Sequence, residues 1–107
     1  MSVKEISAND LVVILERSGH VIDVREPDEY AEGHAPGAIS IPLGTVPDSV
    51  EKFRKSVPVY VICHSGARSM RACEFLHQAG VTNVVNVAGG TAGFAALGNE
   101  LNVGDQP

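Results

Sequence analysis

Pro58-Val59-Tyr60-Val61-Ile62-Cys63-His64-Ser65-Gly66-Ala67-Arg68-Ser69 decides how the rest of the chain is read. Its first five residues are a short, apolar, largely β-branched run of the kind that makes a buried strand. From Ser69 the spacing predicts a helix to Ala79, stopped by Gly80. A cysteine therefore stands where a strand ends and a helix begins. Backbone N–H groups turn inward at such a place, and the positive end of the helix dipole lies close by. Both stabilise a thiolate, the reactive form of cysteine. Gly66 permits a tight backbone path, and Arg68 adds a permanent positive charge with a flat fork of donors. The stretch reads as an anionic, cysteine-based reaction centre.

Short apolar runs alternate with helical patterns on either side of it. Glu5-Ile6 ends a first strand, and Ser7 with Asp10 three residues later forms a capping-box signal. Leu11, Ile14 and Leu15 follow at helical spacing, and Gly19 ends that helix. His20-Val21-Ile22-Asp23-Val24 is a compact strand, and Pro27 opens a helical turn over 28–32 that Gly33 closes. Residues 38–41 make another strand, and 50–55 a short helix with Val50 and Phe53 inward. Residues 83–87 make the last strand and 90–97 the last helix. Beyond Gly98 the chain has little to bury and is expected to fray. This alternation means an α/β domain with a mostly parallel sheet and helices on both faces. Ligands in such folds bind outside the carboxyl ends of the strands, where sequence order places Cys63.

The 107 residues suit one domain over 1–107, with a core from about 4 to 97. An apolar content of 44% permits a proper core, and a net charge of −5 gives no reason to expect nucleic-acid or membrane binding. Any anion must then be attracted by a local site. No run is long enough to span a membrane, and the first residues lack the apolar stretch of a signal peptide. Two cysteines and four scattered histidines do not make a metal site, and no cofactor is expected. A reduced, cytoplasmic protein is the expectation.

Asp23-Val24-Arg25, Glu29-Tyr30, Gly33-His34, Pro36-Gly37-Ala38 and Ile41-Pro42 resemble the first signature of the rhodanese domain. Cys63 to Ser69 resembles its active loop, of the Cys-x-x-Gly-x-Arg-Ser kind, and Asn83-Val84, Val87 and Gly89-Gly90 resemble its closing segment. The match runs from about Ile6 to Leu97 in the expected order. Two positions depart from it: Phe94 stands near the place of a common tryptophan, and Ala35 replaces a larger aliphatic residue. The resemblance implies a five-stranded parallel sheet and a single-domain sulfurtransferase working through a cysteine persulfide. Cys63 is then the nucleophile, attacking the outer sulfur of a donor such as thiosulfate and releasing sulfite. A thiol or cyanide acceptor removes that sulfur in a second step, so ping-pong kinetics are expected.

The remaining loop residues are candidate substrate-binding positions. Arg68 would hold the anionic end of the donor. His64, Ser65, Gly66 and Ala67 would contribute backbone N–H groups, and a histidine base is not required once the thiolate is formed by its surroundings. Ser69 either caps the helix or hydrogen-bonds the sulfur. Cys73 falls with Ala72, Phe75, Leu76 and Ala79 on one side of the helix and reads as core. Asp23 and Arg25 are expected to brace the loop or to pair with each other, Glu29 and His34 to be scaffolding, and Arg71 to lie on a solvated face.

Two other functions compete. A carrier module could dock a protein sulfur donor or acceptor. A cysteine-based phosphatase or arsenate reductase also surrounds an anion with cysteine and arginine. Four residues separate Cys63 from Arg68. The related phosphatases carry one more, as the resemblance implies, which widens the ring of N–H groups for tetrahedral phosphate. The shorter loop favours a single terminal sulfur, and sulfite leaves without a general acid.

Overall fold

The computed structural model describes residues 2–107. Five strands, β1 (Lys4–Ser7), β2 (His20–Asp23), β3 (Ile39–Ser40), β4 (Val59–Ile62) and β5 (Val84–Ala88), form one sheet in the order β1-β5-β4-β2-β3. Every pairing is parallel. The helices are α1 (Ala8–Glu16), α2 (Pro27–Glu32), α3 (Val50–Phe53), α4 (Ala67–Gln78) and α5 (Gly90–Ala96). A parallel strand needs a crossover to return to the same end of the sheet, and the helices supply it.

Alternation along the central strands sends successive side chains to opposite faces. Ile22, Val59, Val61 and Val84 join Phe53, Ala72, Cys73 and Leu76 under α3 and α4. Val21, Ile62 and Val87 join Leu11, Tyr30, Ala35 and Phe94 under α1, α2 and α5. The sheet therefore carries a core on each face, as the apolar runs imply. Ala35 is fully buried, and Phe94 fills the second core at 3% exposure.

The α1 start forms as its capping box predicts: the Asp10 N–H donates to Ser7 Oγ at 3.2 Å, and the Ser7 N–H donates to Asp10 Oδ2 at 3.3 Å. Three expectations are corrected. The helix after the cysteine begins at Ala67, two residues early, because Gly66 adopts φ 106° and takes the cap position itself. Phe75, expected inward on that helix, is 40% exposed. The tail does not fray. Residues 34 and 102 exchange backbone hydrogen bonds of 2.9 and 2.8 Å, and the Gly104 N–H donates to the Ala31 carbonyl. Leu101 packs over Gly33, where a Cβ would come within 2.9 Å of its Cδ1. The tail has few apolar residues, but it satisfies backbone groups that the α2 turn leaves unpaired. A two-turn 3-10 segment over Leu43–Asp48 also precedes α3, where no helix is expected.

Candidate active site

β4 lies between β5 and β2 in the sheet, and its last residue delivers Cys63 to the carboxyl edge. The following loop is held from outside by α5: the Thr91 N–H donates to the Cys63 carbonyl at 2.8 Å and the Ala92 N–H to the His64 carbonyl at 3.0 Å. With those carbonyls turned toward α5, loop N–H groups are left to face the sulfur. The Gly66 N–H donates to Cys63 Sγ at 3.1 Å, and the Ser69 hydroxyl lies 3.3 Å from it.

Burial acts to push the Cys63 thiol up. The Ser69 hydroxyl and the N–H groups of Ser69, Gly66 and Ser65 outweigh it, so the thiol lies below its ordinary value. Cys63 itself is 1% exposed. Cys73 shows the contrast. It is fully buried without such donors, and desolvation drives it up to about 12. It is core, as expected from the helix pattern.

The loop side chains divide by exposure. His64, Ser65 and Ala67 are exposed, while Gly66 and Ser69 are buried. Gly66 lies against Gly89, where a Cβ would make ordinary contact at 3.4 Å from its nitrogen, so it is the φ of 106° that favours glycine there. Ser69 sits inside the first turn of α4 and is not its cap; its hydroxyl is shared between Cys63 and Asn86 Oδ1.

Arg68 is not a bare cation awaiting an anion. Its Nη1 and Nη2 donate to the two oxygens of Glu29 at 2.7 and 2.9 Å. The pair joins the start of α4 to α2, and the Arg68 hydrogen bonds hold Glu29 down from 4.5 to about 2. Glu29, read from sequence as helix scaffolding, is thus part of the loop's rim. Its selection was invisible locally, because the two residues stand 39 apart in the chain.

Asp23 and Arg25 pair with each other. Arg25 Nη2 donates to Asp23 Oδ2 at 2.7 Å and to the Gly33 carbonyl at 2.8 Å, and both residues are buried. His34 is scaffolding as expected: it stacks on Tyr30, and its Nδ1 and Nε2 lie 2.8 and 2.7 Å from the Tyr30 and Gln106 carbonyls. Arg71 is exposed. Among the described residues no cluster of side chains is arranged to hold a metal ion, and no helix is long and apolar enough to cross a membrane.

A shallow cleft of about 300 Å³ opens beside the loop, lined by Arg25, Glu29, Glu32, His64, Thr91 and Leu101. A larger hollow of about 520 Å³ lies by Gly19, His20 and Lys52 at the amino end of β2, remote from the sulfur. Of the two, only the smaller cleft borders the Cys63 loop, through His64.

Sequence reasoning missed Asn86, and it read Gly90 only as part of the closing segment, not as a residue against the loop. Asn86 is 1% exposed, and its Nδ2 donates to Glu5 Oε2 at 2.8 Å and to the Gly66 carbonyl at 3.3 Å. The signal was a polar residue inside the apolar run Val84-Val85-Asn86-Val87. Gly90, at φ 58°, lies so close to the loop that a Cβ would fall 2.5 Å from the His64 oxygen and 2.6 Å from that of Cys63.

The rhodanese-like domain model matches residues 7–97, nearly the whole chain. The chain belongs to the rhodanese-like family. It is 41% identical over 92 residues to the putative sulfurtransferase YtwF of Bacillus subtilis, covering 84% of this chain and 88% of that one. It is 41% identical over 75 residues to the thiosulfate sulfurtransferase PspE of Escherichia coli, covering 65% and 69%. Among solved structures, a rhodanese-related protein from Thermoplasma volcanium superposes with a TM-score of 0.84 at 33% identity, covering 94% of this chain and 98% of that one. The fold, with its five parallel strands, is that of this rhodanese-related structure, and the chain falls in the rhodanese-like sulfurtransferase family.

Proposed function

We propose that this rhodanese-like protein transfers sulfane sulfur from thiosulfate to a thiol or cyanide through a persulfide on Cys63. The Cys63 thiolate attacks the outer sulfur of thiosulfate. A sulfur–sulfur bond forms to Sγ, the bond to the sulfonate sulfur breaks, and sulfite leaves with the electron pair. The acceptor then attacks the outer sulfur, and Cys63 departs as a thiolate. The observation that carries this reading is the set of inward donors on the Cys63 sulfur, with only four residues between it and Arg68.

Arg68 meets the anionic end of the donor in this scheme. Its Nη groups hold Glu29, while its Nε–H takes no part in that pair. Sulfur transfer also fits the acids nearby. Asp23 is buried against Arg25, and Glu29 stays ionised beside Arg68, so neither is placed to protonate a leaving alkoxide. The two free cysteines fit a reducing, cytoplasmic setting.

Intact mass after incubation with thiosulfate tests the reading. The expected result is a gain of one sulfur on the protein, lost on adding cyanide and absent in Cys63→Ser. Aryl phosphates should be hydrolysed negligibly. Phosphatase turnover that vanishes in Cys63→Ser, with no sulfur gained from thiosulfate, would replace sulfur transfer by phosphate chemistry. Sulfur gained only from a persulfidated protein would instead make the chain a carrier.

A further inference from the structure

The reaction centre holds one hydroxyl proton and two acceptors for it. Ser69 is fully buried, with Oγ 3.3 Å from Cys63 Sγ and also in hydrogen-bond contact with Asn86 Oδ1. The orientation of the Asn86 amide follows from its other partners. Nδ2 faces a Glu5 carboxylate oxygen and the Gly66 carbonyl, both acceptors only, so Oδ1 must be the atom toward Ser69. Glu5 and Asn86 are register partners on β1 and β5, which fixes this contact through the sheet. A serine hydroxyl has a single proton to give. When it points to Asn86, the sulfur meets an oxygen lone pair, which suits a thiol donating S–H. When it points to the sulfur, it suits a thiolate, and the buried Oδ1 loses that donor.

We propose that Asn86 is a positioning residue of the reaction centre: its side-chain oxygen competes with the Cys63 sulfur for the one Ser69 hydroxyl proton, and the hydroxyl turns between them as charge enters and leaves the sulfur. The resting thiol is held by Cys63 donating to Ser69 and Ser69 donating to Asn86. Ionisation reverses the first bond and breaks the second. In turnover, which rests on the sulfur-transfer reading above, charge leaves Sγ as the new sulfur–sulfur bond forms. The hydroxyl then returns to Asn86, so the persulfide is not left with a buried donor aimed at an uncharged sulfur. Asn86 thereby opposes ionisation of the resting cysteine and favours the step that removes charge from it.

The proposal gives opposite signs to two neighbouring substitutions. Removing Asn86 Oδ1 frees the Ser69 proton for the thiolate, while removing the Ser69 hydroxyl takes a donor from it. The other groups around Cys63 are the Ser65 and Gly66 N–H groups, Arg68 with Glu29, the Asp23–Arg25 pair, Cys73 on α4 and Glu5 on β1. Removing the Asn86 amide also takes a donor from Glu5 and from the Gly66 carbonyl, so its effect is compared with and without the Ser69 hydroxyl.

The test is the rate of Cys63 alkylation by iodoacetamide against pH, read by peptide mapping so that Cys73 does not contribute. Asn86→Leu, similar in size and without an acceptor, should lower the midpoint by about one pH unit, the scale of one hydrogen bond. Ser69→Ala should raise it by about as much. Asn86→Leu added to Ser69→Ala should move nothing further, since Asn86 acts through that hydroxyl. A midpoint that stays or rises in Asn86→Leu, or an Asn86 effect that persists without the hydroxyl, would overturn the proposal. A second measurement needs no change at Asn86. In Cys73→Ala protein below the midpoint, the Raman S–H stretch of Cys63 should lie at the lowered frequency of a hydrogen-bonding donor. A band at the free-thiol position would equally overturn it. Neither measurement uses a sulfur donor, so their failure is distinct from a failure to gain sulfur from thiosulfate.

Discussion

At the scale of single residues, the two cysteines show how one side chain acquires two chemistries. Cys63 and Cys73 are both buried. Only Cys63 receives donors, so its thiol is lowered while that of Cys73 rises to about 12. The Arg68–Glu29 pair is the other residue-scale device, and it has two consequences. Arg68→Ala should reduce kcat/KM for thiosulfate by tenfold or more, on the order expected for one charge-assisted contact. Steady-state rates with thiosulfate over a range of salt concentrations check this, and an unchanged efficiency would remove Arg68 from donor binding. The pair should also leave an acid signature. Glu29 is depressed from an ordinary 4.5 to about 2, so its contribution is fully present above 4.5 and is lost as pH falls toward 2. Denaturant unfolding of Glu29→Gln should therefore show a shallower loss of stability across that window than the parent protein. Equal slopes would mean that the pair adds nothing to folding.

At the scale of elements, the active loop is a product of its two flanking helices. α4 begins at a glycine in the left-handed region, which turns the Gly66 N–H onto the sulfur. α5 brings two N–H groups to the loop carbonyls from the other side. Gly90 makes that second approach possible, with no room for a Cβ against backbone oxygens that have no rotamer to change. Gly90→Ala should thus destabilise the fold by roughly 2 kcal/mol or more, the combined scale of a strained φ and a backbone shift. It should also slow Cys63 alkylation at neutral pH by displacing the donors. Urea unfolding and the alkylation rate measure the two effects separately, and wild-type values of both would show that the loop is not held by α5.

At the scale of the whole molecule, the chain closes on itself through its tail. Leu101 covers Gly33, Asn102 pairs with His34, and the Gln106 carbonyl lies 2.7 Å from His34 Nε2. The α2 end carries the Arg25–Gly33 bond and, through Glu29, one side of the loop rim. Leu101 also lines the cleft beside the loop. Leu101→Ala should cost about 1–2 kcal/mol, the range for a partly buried apolar truncation. A thermal shift of several degrees would register it in a domain this small. An unchanged melting temperature would mean that the tail is a passenger.

What the sequence determined by itself was everything carried by local pattern. Apolar runs of strand length, the Ser7–Asp10 capping box and the glycines that punctuate helices specified an α/β order of elements. Parallel strands followed because helices separate them, and Cys63 fell at a strand's carboxyl end for the same reason. The chemical reading of the loop needed only Cys63, Gly66 and Arg68 in their spacing. Tertiary structure decided which distant residues complete the site. Glu29 reaches Arg68 across 39 positions, Asn86 reaches Ser69 across 17, and Glu5 reaches Asn86 across 81. The tail's docking on α2 belongs to the same class. Hydrogen bonds and ion pairs between remote residues leave no period in the sequence, because their geometry exists only once the sheet has set its strand order and register.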